Sequence, residues 1–369
     1  MECELAVVGA GPAGLSGAIE ASKAGVKNVV VVDENNWPGG QLCKQIHKFF
    51  GGTEHGAGIR GIDIATQLVR EAKAAGVDIR LATTVWGIFE DNVLGLSTKD
   101  EVFKLQAKNI LIATGASENT LAFPGCTLPG VMGAGAAQTM VNLHRVSIGE
   151  KVLMVGSGNV GLIVSYQLMQ AGIEVVAVVD VLPKIGGYGV HASKITRLGV
   201  PILTSHTVKE VRGDNKVEVA TVAKVDQHYQ LISGSERDFY VDTVCIAVGL
   251  TPLAELCWMA GCEFMYIPEM GGWIPVHGEK METTVPGIYV AGDAAGIEEA
   301  STAVITGGIA GLAVAESLGY LTKEQFDELR KDKEVGLKPF RQGRFEFRKI
   351  AHERLTNKDG RIVKQWYKH

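Results

Sequence analysis

The chain consists of short, wholly apolar runs, many of them followed by a glycine-rich turn and then a segment with helical periodicity. Continuous apolar runs of this length are typical of strands buried on both faces of a parallel sheet. The clearest runs lie at 5–8, 29–32, 109–113, 152–155, 175–179 and 244–248. We predict strands at these runs and near 77–85, a β-meander over the alternating stretch 216–232, and helices near 12–24 and 61–75.

Two of the strand-to-helix turns share the pattern G-x-G-x-x-G, and each has an acid at the end of the next strand. The glycines are Gly9, Gly11 and Gly14 in the first copy and Gly156, Gly158 and Gly161 in the second. The acids, Asp33 and Asp180, each lie 24 residues after the first glycine of their copy. One such motif is weak, but the pair predicts two dinucleotide sites. The alternative, two glycine-rich turns without ligands, is improbable for both together.

Each part of the motif has a physical role in holding a dinucleotide. The first glycine allows a sharp turn, the second lets the backbone approach a pyrophosphate, and the third lets helix and strand pack closely. The free N–H groups and dipole at the start of the helix attract the phosphates. The acid accepts a hydrogen bond from a ribose 2′-OH and repels a 2′-phosphate, so Asp180 favours NAD over NADP.

Two further strands separate a flavin site from a nicotinamide site. Residues 110–115 end in a small polar turn, and residues 287–293 end in a carboxylate. With the first glycine motif and residues 38–42, these segments resemble the FAD domain of two-dinucleotide-fold flavoproteins such as thioredoxin reductase. The second motif and residues 244–252 resemble the NAD(P) domain of the same superfamily.

The resemblance covers about residues 4–320 and implies an α/β fold with two Rossmann-like dinucleotide-binding domains. The NAD domain would be inserted into a split FAD domain. The expected domains are an FAD-binding domain at 1–120 and 256–320, an NAD-binding domain at 121–255, and a basic C-terminal extension at 321–369.

The resemblance also implies which residues bind FAD. Asp33 or its neighbour Glu34 would hold the adenosine ribose, and Asp293 would accept a hydrogen bond from the ribityl chain. A helix starting near Thr302 would direct its N-terminus at the N1–O2 edge of the flavin, where it favours the negative charge of reduced flavin. The other expected FAD-binding residues are Gly9, Gly11, Pro12, Ala13, Gly14, Gly40, Gln41, Leu42, Val85, Thr114, Gly115, Gly292 and Ala303.

The NAD site implied by the same resemblance has fewer members. They are Gly156, Gly158, Asn159, Val160, Gly161, Asp180 and Gly249. No catalytic acid, base or nucleophile and no metal-ligand tract is predicted, because the two cofactors carry hydride transfer themselves.

The cysteines depart from the pattern of disulfide reductases. Where thioredoxin reductases carry a redox CxxC, residues 133–138 of this chain contain no cysteine. Cys257 and Cys262 lie elsewhere, and a buried thiol pair is the favoured interpretation for them. Cys43 follows the expected flavin loop, where packing is favoured over catalysis. Dithiol chemistry is therefore disfavoured.

A narrower group is similar over residues 128–138 and 155–158. It comprises the FAD/NAD-fold subunits of hydrogen cyanide synthase, opine oxidases, heteromeric sarcosine oxidase and proline or hydroxyproline dehydrogenases. The resemblance implies a larger assembly with a second flavin subunit that oxidises an amine or amino acid. Many members extend into a cysteine-rich iron–sulfur segment, but no cysteine follows Cys262 here. A separate iron–sulfur partner, or direct use of NAD, is therefore expected.

Composition adds expectations about location and partners. Six cysteines and an early first strand favour a reducing cytoplasm, and the glycine-broken apolar stretches favour no membrane span. Residues 338–369 hold ten Lys and Arg against three Asp and Glu, whereas the whole chain has a net charge of −5. This basic tail is either a solvated arm folded back on the body or a docking element that uses aromatics such as Trp366 and Tyr367. Nucleic acid binding is poorly supported.

Three functions remain open. The first is an FAD- and NAD-dependent oxidoreductase that forms one subunit of an amine or amino-acid dehydrogenase complex. The second is an NAD(P)H-dependent reductase of a protein acceptor such as ferredoxin or thioredoxin. The third is a non-catalytic, nucleotide-binding assembly subunit.

Overall fold

The structure is a computed structural model, which describes residues 1–49, 52, 56–360 and 362–363, apart from the side chain of Arg344. The aromatic residues Trp366 and Tyr367 of the predicted docking element lie outside the described residues. The chain divides into two compact units. Unit 1 contains Met1–Ser117 and Thr251–His369, and unit 2 is the intervening segment Glu118–Leu250.

The elements follow one another in this order. The first 118 residues contain β1 (Glu2–Val8), α1 (Pro12–Lys23), β2 (Val29–Val32), α2 (Gly61–Ala74), β3 (Asp78–Arg80), β4 (Thr84–Phe89), β5 (Val93–Ser97), β6 (Val102–Ile112) and β7 (Ala116–Glu118). The middle segment contains β8 (Val131–Gly133), α3 (Ala134–Thr139), β9 (Lys151–Val155), α4 (Asn159–Gln170), β10 (Glu174–Asp180), α5 (Gly189–Arg197), β11 (Ile202–Thr204), β12 (His206–Arg212), β13 (Val219–Lys224), β14 (Arg237–Tyr240) and β15 (Thr243–Ile246). The remainder contains β16 (Leu250–Pro252), α6 (Glu255–Met259), β17 (Phe264–Ile267), β18 (Gly272–Pro275), β19 (Ile288–Val290), α7 (Ala300–Ser317), α8 (Lys323–Leu337), α9 (Glu346–Thr356) and β20 (Ile362–Val363).

Unit 1 is organised around a seven-stranded sheet. Its strand order is β3-β2-β1-β6-β5-β4, with β19 also paired to β6. The pairs from β3 to β6, and β19 with β6, are parallel, so their carboxyl ends lie at one edge of the sheet. Helices α1 and α7 both contribute buried residues to the core of this unit. Helix α7 is apolar around almost its whole circumference, so nearly all of its faces can be buried. A ligand that binds at the carboxyl ends of parallel strands and at helix N-termini is expected at this edge of the sheet.

Unit 2 repeats the arrangement on a smaller scale. Five parallel strands are ordered β11-β10-β9-β15-β8. One core lies between this sheet and α4 and α5, and a second lies between the sheet and the antiparallel strands β12, β13 and β14. The apolar runs predicted as buried parallel strands therefore form the centre of both units.

Two strand predictions differ from the structure. The predicted strand 77–85 is two strands, β3 and β4, because Ala82 has a φ of 48° and turns the chain between them. The predicted meander 216–232 contains only β13. Its partners β12 and β14 lie outside that stretch, because Asp226 accepts the N–H groups of His228 and Gln230 and closes a tight turn there.

The C-terminal extension folds onto unit 1 as helices α8 and α9. Phe326, Leu337, Ala351 and Leu355 are buried, so the extension is anchored by apolar contacts as well as by charge. This agrees with the interpretation of an arm folded back on the body. Among the described residues, α7 alone is long and apolar enough to cross a membrane, and 67% of it is buried inside the protein. Most of α7 thus forms part of the core, and the expectation of no membrane span stays a prediction.

Candidate dinucleotide sites

The first glycine loop joins β1 to α1 in unit 1. Gly9 has a φ of 105°, and a methyl group on it would lie 2.4 Å from the carbonyl oxygen of Ala113. A methyl group on Gly14 would lie 1.9 Å from the oxygen of Gly9, so helix and strand can approach only with glycine here. At Gly11 the nearest atom to such a group would be 4.0 Å away, so this position is open for a ligand.

The structure brings several distant predicted residues to this loop. A methyl group on Gly40 would lie 2.8 Å from the Cα of Gly11, and one on Gly292 would lie 2.8 Å from the Cβ of Ala13. Ala303 is the next neighbour of Gly292, at 3.4 Å from the same added group. Pro12 is the first residue of α1, where its missing N–H costs nothing.

The carboxylate of Asp33 holds the first glycine loop through hydrogen bonds. Its Oδ2 accepts the N–H of Ala10 at 2.7 Å, and its Oδ1 accepts the backbone and side-chain N–H groups of Asn35 at 2.8 and 2.9 Å. Asp33 is only 8% exposed, whereas the neighbouring Glu34 is exposed. The buried acid thus fixes the loop, and the exposed acid points toward solvent where a ribose could reach it.

The remaining predicted FAD residues lie around this edge of unit 1. Val85 lies two residues after Thr83. The N–H of Thr83 donates to the carbonyl of Asp33 at 3.0 Å, which connects this segment to the first glycine loop. Leu42 is buried and Gln41 is exposed on the turn Gly40–Lys44. Thr114 donates its hydroxyl to the carbonyl of Leu253, and Gly115 accepts the N–H of Leu253 at 2.9 Å.

Asp293 is a half-buried acid seven residues before the start of α7. Burial raises its pKa to about 7, and the carboxylates of Glu299 and Glu298 add to that shift. Thr302 lies in the first turn of α7, where its hydroxyl accepts the N–H of Glu299 at 3.1 Å. A hydroxyl donor such as a sugar would favour the ionised form of Asp293.

The second glycine loop, between β9 and α4 in unit 2, repeats the first in detail. Gly156 has a φ of 112°, and a methyl group there would lie 2.2 Å from the oxygen of Ala247. On Gly161 it would lie 2.0 Å from the oxygen of Gly156, and on Gly158 it would meet nothing within 4 Å. The close contacts and the open position match those of the first loop one by one.

Asp180 holds the second loop as Asp33 holds the first. Its Oδ2 accepts the N–H and hydroxyl of Ser157 at 2.6 and 2.5 Å, and its Oδ1 accepts the N–H of Leu182 at 2.9 Å. Asp180 is also 8% exposed. The residue after it is Val181, so this loop has no counterpart of Glu34.

The other predicted members of the second site surround its helix start. Asn159 and Val160 are the first two residues of α4, and the side-chain oxygen of Asn159 accepts the N–H of Tyr188 at 2.8 Å. Gly249 has a φ of 121° and lies against Asn119. It follows β15, as Gly115 follows β6 in unit 1.

Sequence reasoning missed a second Gly-Gly segment in unit 2. Gly187 donates its N–H to Ser157 O at 2.8 Å, just as Gly39 donates to Ala10 O at 2.7 Å in unit 1. A methyl group on Gly186 would lie 3.7 Å from the Cα of Gly158. The signal was present, since a Gly-Gly pair follows each acid by six or seven residues.

The segment without the redox cysteine pair is helix α3 and the residue before it. The Glu118 carboxylate accepts the N–H of Gly135 at 2.6 Å and of Ala136 at 3.1 Å, so a side chain of this chain occupies the helix start. The six cysteines are free thiols. Burial raises the pKa of the Cys43 thiol, whereas reactive cysteines have a lowered pKa.

The family model for pyridine nucleotide-disulphide oxidoreductases matches residues 3–307. The chain belongs to this family. The match spans well over half of the chain and includes both glycine loops. It ends inside α7, so α8 and α9 lie beyond the part that this oxidoreductase shares with the family model.

Two curated relatives are subunits of larger enzymes. The oxidoreductase is 28% identical to one of the subunits of opine oxidase from Agrobacterium tumefaciens, with 92% of this chain and 71% of the relative covered. It is also 28% identical to the HcnB subunit of hydrogen cyanide synthase from Pseudomonas aeruginosa, with 84% of this chain and 70% of the relative covered. The predicted resemblance to this group is confirmed.

Among solved structures, thioredoxin reductase of T. acidophilum superposes with a TM-score of 0.70 at 22% identity. The match covers 86% of this chain and 99% of that chain. This likeness confirms the predicted α/β fold with Rossmann-like parallel sheets. Together, family and fold identify the protein as an FAD-dependent oxidoreductase and imply binding of FAD and of NAD or NADP.

Proposed function

We propose that unit 1 binds FAD, that unit 2 binds NAD, and that the protein is one subunit of an amine or amino-acid dehydrogenase complex. The observation that carries the proposal is the repeated glycine loop, with its open middle glycine and buried acid in each unit. When both cofactors are bound, a hydride would pass between nicotinamide C4 and flavin N5. The protein's own part is to bind, orient and exclude water.

In unit 1 the open backbone at Gly11 and the start of α1 would hold the FAD pyrophosphate. Glu34 is the better candidate for the adenosine ribose, because it is exposed whereas Asp33 is only 8% exposed. Asp293 would accept a hydrogen bond from a hydroxyl of the ribityl chain, which would favour its ionised form.

In unit 2 the start of α4 and Gly158 would hold the NAD pyrophosphate. Oδ1 of Asp180 carries one hydrogen bond to Leu182 and has a second lone pair that a ribose hydroxyl could use. A carboxylate at this place repels a 2′-phosphate, which supports NAD over NADP. The six free thiols are consistent with work in the cytoplasm, which stays a prediction.

The relatives support a partner subunit, because they are named as subunits of opine oxidase and hydrogen cyanide synthase. A second subunit, carrying flavin or an iron–sulfur cluster, would oxidise a small amine or amino acid and exchange electrons with this chain.

The test is co-purification from the native host, followed by spectroscopy of the complex and of this chain alone. We expect bound FAD, bleaching of the flavin by anaerobic NADH, and bleaching by an amine only when the second subunit is present. Bleaching by NADH with rapid transfer to ferredoxin or thioredoxin, and no amine oxidation, would instead identify a reductase of a protein acceptor. If NADH never reduced the bound flavin, the assembly-subunit function would replace both.

A further inference from the structure

The start of α7 carries two acids in succession, Glu298 and Glu299, and the C-terminal extension supplies an arginine to each. Arg341 contacts Glu298, and Arg348 contacts Glu299. Both arginines follow residue 307, the last residue that the family model matches. The pairing is therefore a feature of this chain's own extension.

Glu298 is held ionised although it is buried. Its side chain is 5% exposed, and Arg341 binds both of its oxygens, Nε to Oε1 at 3.1 Å and Nη2 to Oε2 at 2.9 Å. Burial opposes ionisation of Glu298, but contacts with His352 and Arg341 outweigh it and hold its pKa at about 2. The Nε2 of His352 lies 3.5 Å from Oε2, so Arg341 makes the shorter contacts.

Glu299 is the N-cap of α7, and its carboxylate accepts the backbone N–H of Thr302. Arg348 lies 3.3 Å from Oε1 of Glu299 and also packs over the ring of Phe345, 4.4 Å from its centroid. The other terminal nitrogen of Arg348 is buried without a hydrogen-bond partner among the described residues. Its charge is thus committed chiefly to the edge of α7.

These contacts bear on the place where reduced flavin would gain charge. Two-electron reduction leaves negative charge at the N1–O2 edge, which a helix N-terminus stabilises. Two unpaired carboxylates at that N-terminus would oppose the same charge. Two guanidinium groups bound to those carboxylates remove most of this opposition.

We propose that Arg341 and Arg348 are positioning residues that neutralise Glu298 and Glu299 and thereby raise the reduction potential of the flavin bound at the start of α7. This inference rests on the proposed binding of FAD to unit 1. It assigns to the C-terminal extension a role in setting the driving force of electron transfer.

The experiment measures the flavin reduction potential by equilibrating the holoprotein with a reference dye. Three variants form a cycle: R341M, E298Q and the double variant R341M/E298Q. R341M removes the guanidinium that binds both oxygens of Glu298, and we expect the ratio of reduced to oxidised flavin at fixed ambient potential to fall about tenfold, which is 29.6 mV for a two-electron couple. E298Q should shift the potential the opposite way, and the double variant should return close to wild type.

Lys280 supplies the matched control. It forms an ion pair with Glu316, near the other end of α7. That end is about 25 Å away at 1.5 Å per residue, beyond a Debye length of about 8 Å. K280M likewise removes one positive charge that is paired with an acid, here Glu316 of α7, and we expect no change in potential.

The outcomes separate this inference from the proposed function. Wild-type protein that does not bind FAD would overturn the proposed function, and the inference with it, before any variant is compared. If FAD binds but R341M and E298Q shift the potential in the same direction, or K280M shifts it as much as R341M, the inference alone is overturned. E298Q keeps the side-chain shape, so it carries the test if R341M does not fold.

Discussion

The two glycine loops are nearly identical in backbone geometry, but their surroundings differ. Both have a first glycine with a positive φ, an open second glycine and a buried acid that accepts hydrogen bonds from the loop. In unit 1 an exposed Glu34 follows the acid, whereas in unit 2 Val181 does. Unit 1 has α7 with arginine-paired acids at its start, whereas Glu118 occupies the start of α3 in unit 2. The two units therefore share one loop geometry and differ in the charged side chains around it.

The largest expected effect comes from adding a methyl group at the third glycine of each loop. In G14A the new group would lie 1.9 Å from Gly9 O, and in G161A it would lie 2.0 Å from Gly156 O. Since backbone cannot yield cheaply, we expect a loss on the order of 5 kcal/mol in the stability of the affected unit. Absorbance should show no flavin in G14A, whereas G161A should keep flavin but lose reduction by NADH.

Matched controls use glycines with free space around them. A methyl group at Gly278 in unit 1 or at Gly189 in unit 2 would meet nothing within 4 Å. Both alanine variants should retain flavin and reduction by NADH. Loss of flavin in G161A would contradict the assignment of one cofactor to each loop.

The second effect is a pH dependence of stability that arises in unit 1 alone. The carboxyl of Asp293 has a pKa of about 7 in the folded protein and an ordinary value of 3.8. Between these values the folded state binds the extra proton, so the stability of the flavin-free protein should fall as pH rises, by about 1.4 kcal/mol per pH unit. Urea unfolding at several pH values, compared with D293N, isolates this contribution. Parallel pH profiles for the two proteins would refute it.

The third effect tests the acids beneath the loops. In D33N and D180N the NH2 group of the new amide would face N–H groups whose hydrogen bonds the carboxylate now accepts. We expect each variant to lose about 2 kcal/mol of unfolding free energy, the typical value for hydrogen bonds to a charged group. Similar losses in both would support the equivalence of the loops, and a loss in one alone would break it.

The smallest effect separates Glu34 from Asp33. Glu34 is exposed, so E34Q should leave the stability of the flavin-free protein within about 0.5 kcal/mol of wild type. We expect FAD to bind about tenfold more weakly, because a charged acceptor of a ribose hydroxyl is lost. Fluorescence titration with FAD measures this. Unchanged affinity would indicate that Asp33, rather than Glu34, binds the adenosine ribose.

The sequence predicted the parts of the molecule that depend on local signals. Apolar runs marked the central strands of both sheets, and the two glycine motifs marked the turns before α1 and α4. It did not reveal that Gly187 bonds to Ser157, because a Gly-Gly pair has no periodicity. The pairing of Arg341 with Glu298 spans 43 residues, and only tertiary packing selects such a partner from the many charges of the tail.

The insertion of unit 2 within unit 1 also has a consequence for biosynthesis. Unit 2 is one contiguous segment, so it can acquire its core as soon as it leaves the ribosome. The first part of unit 1 must wait for β19 and α7, which are made more than 130 residues after β7 ends and complete its central sheet and helix layer. The nascent chain can therefore fold unit 2 well before the central sheet of unit 1 is whole, so a ligand of unit 1 can be taken up only late in synthesis.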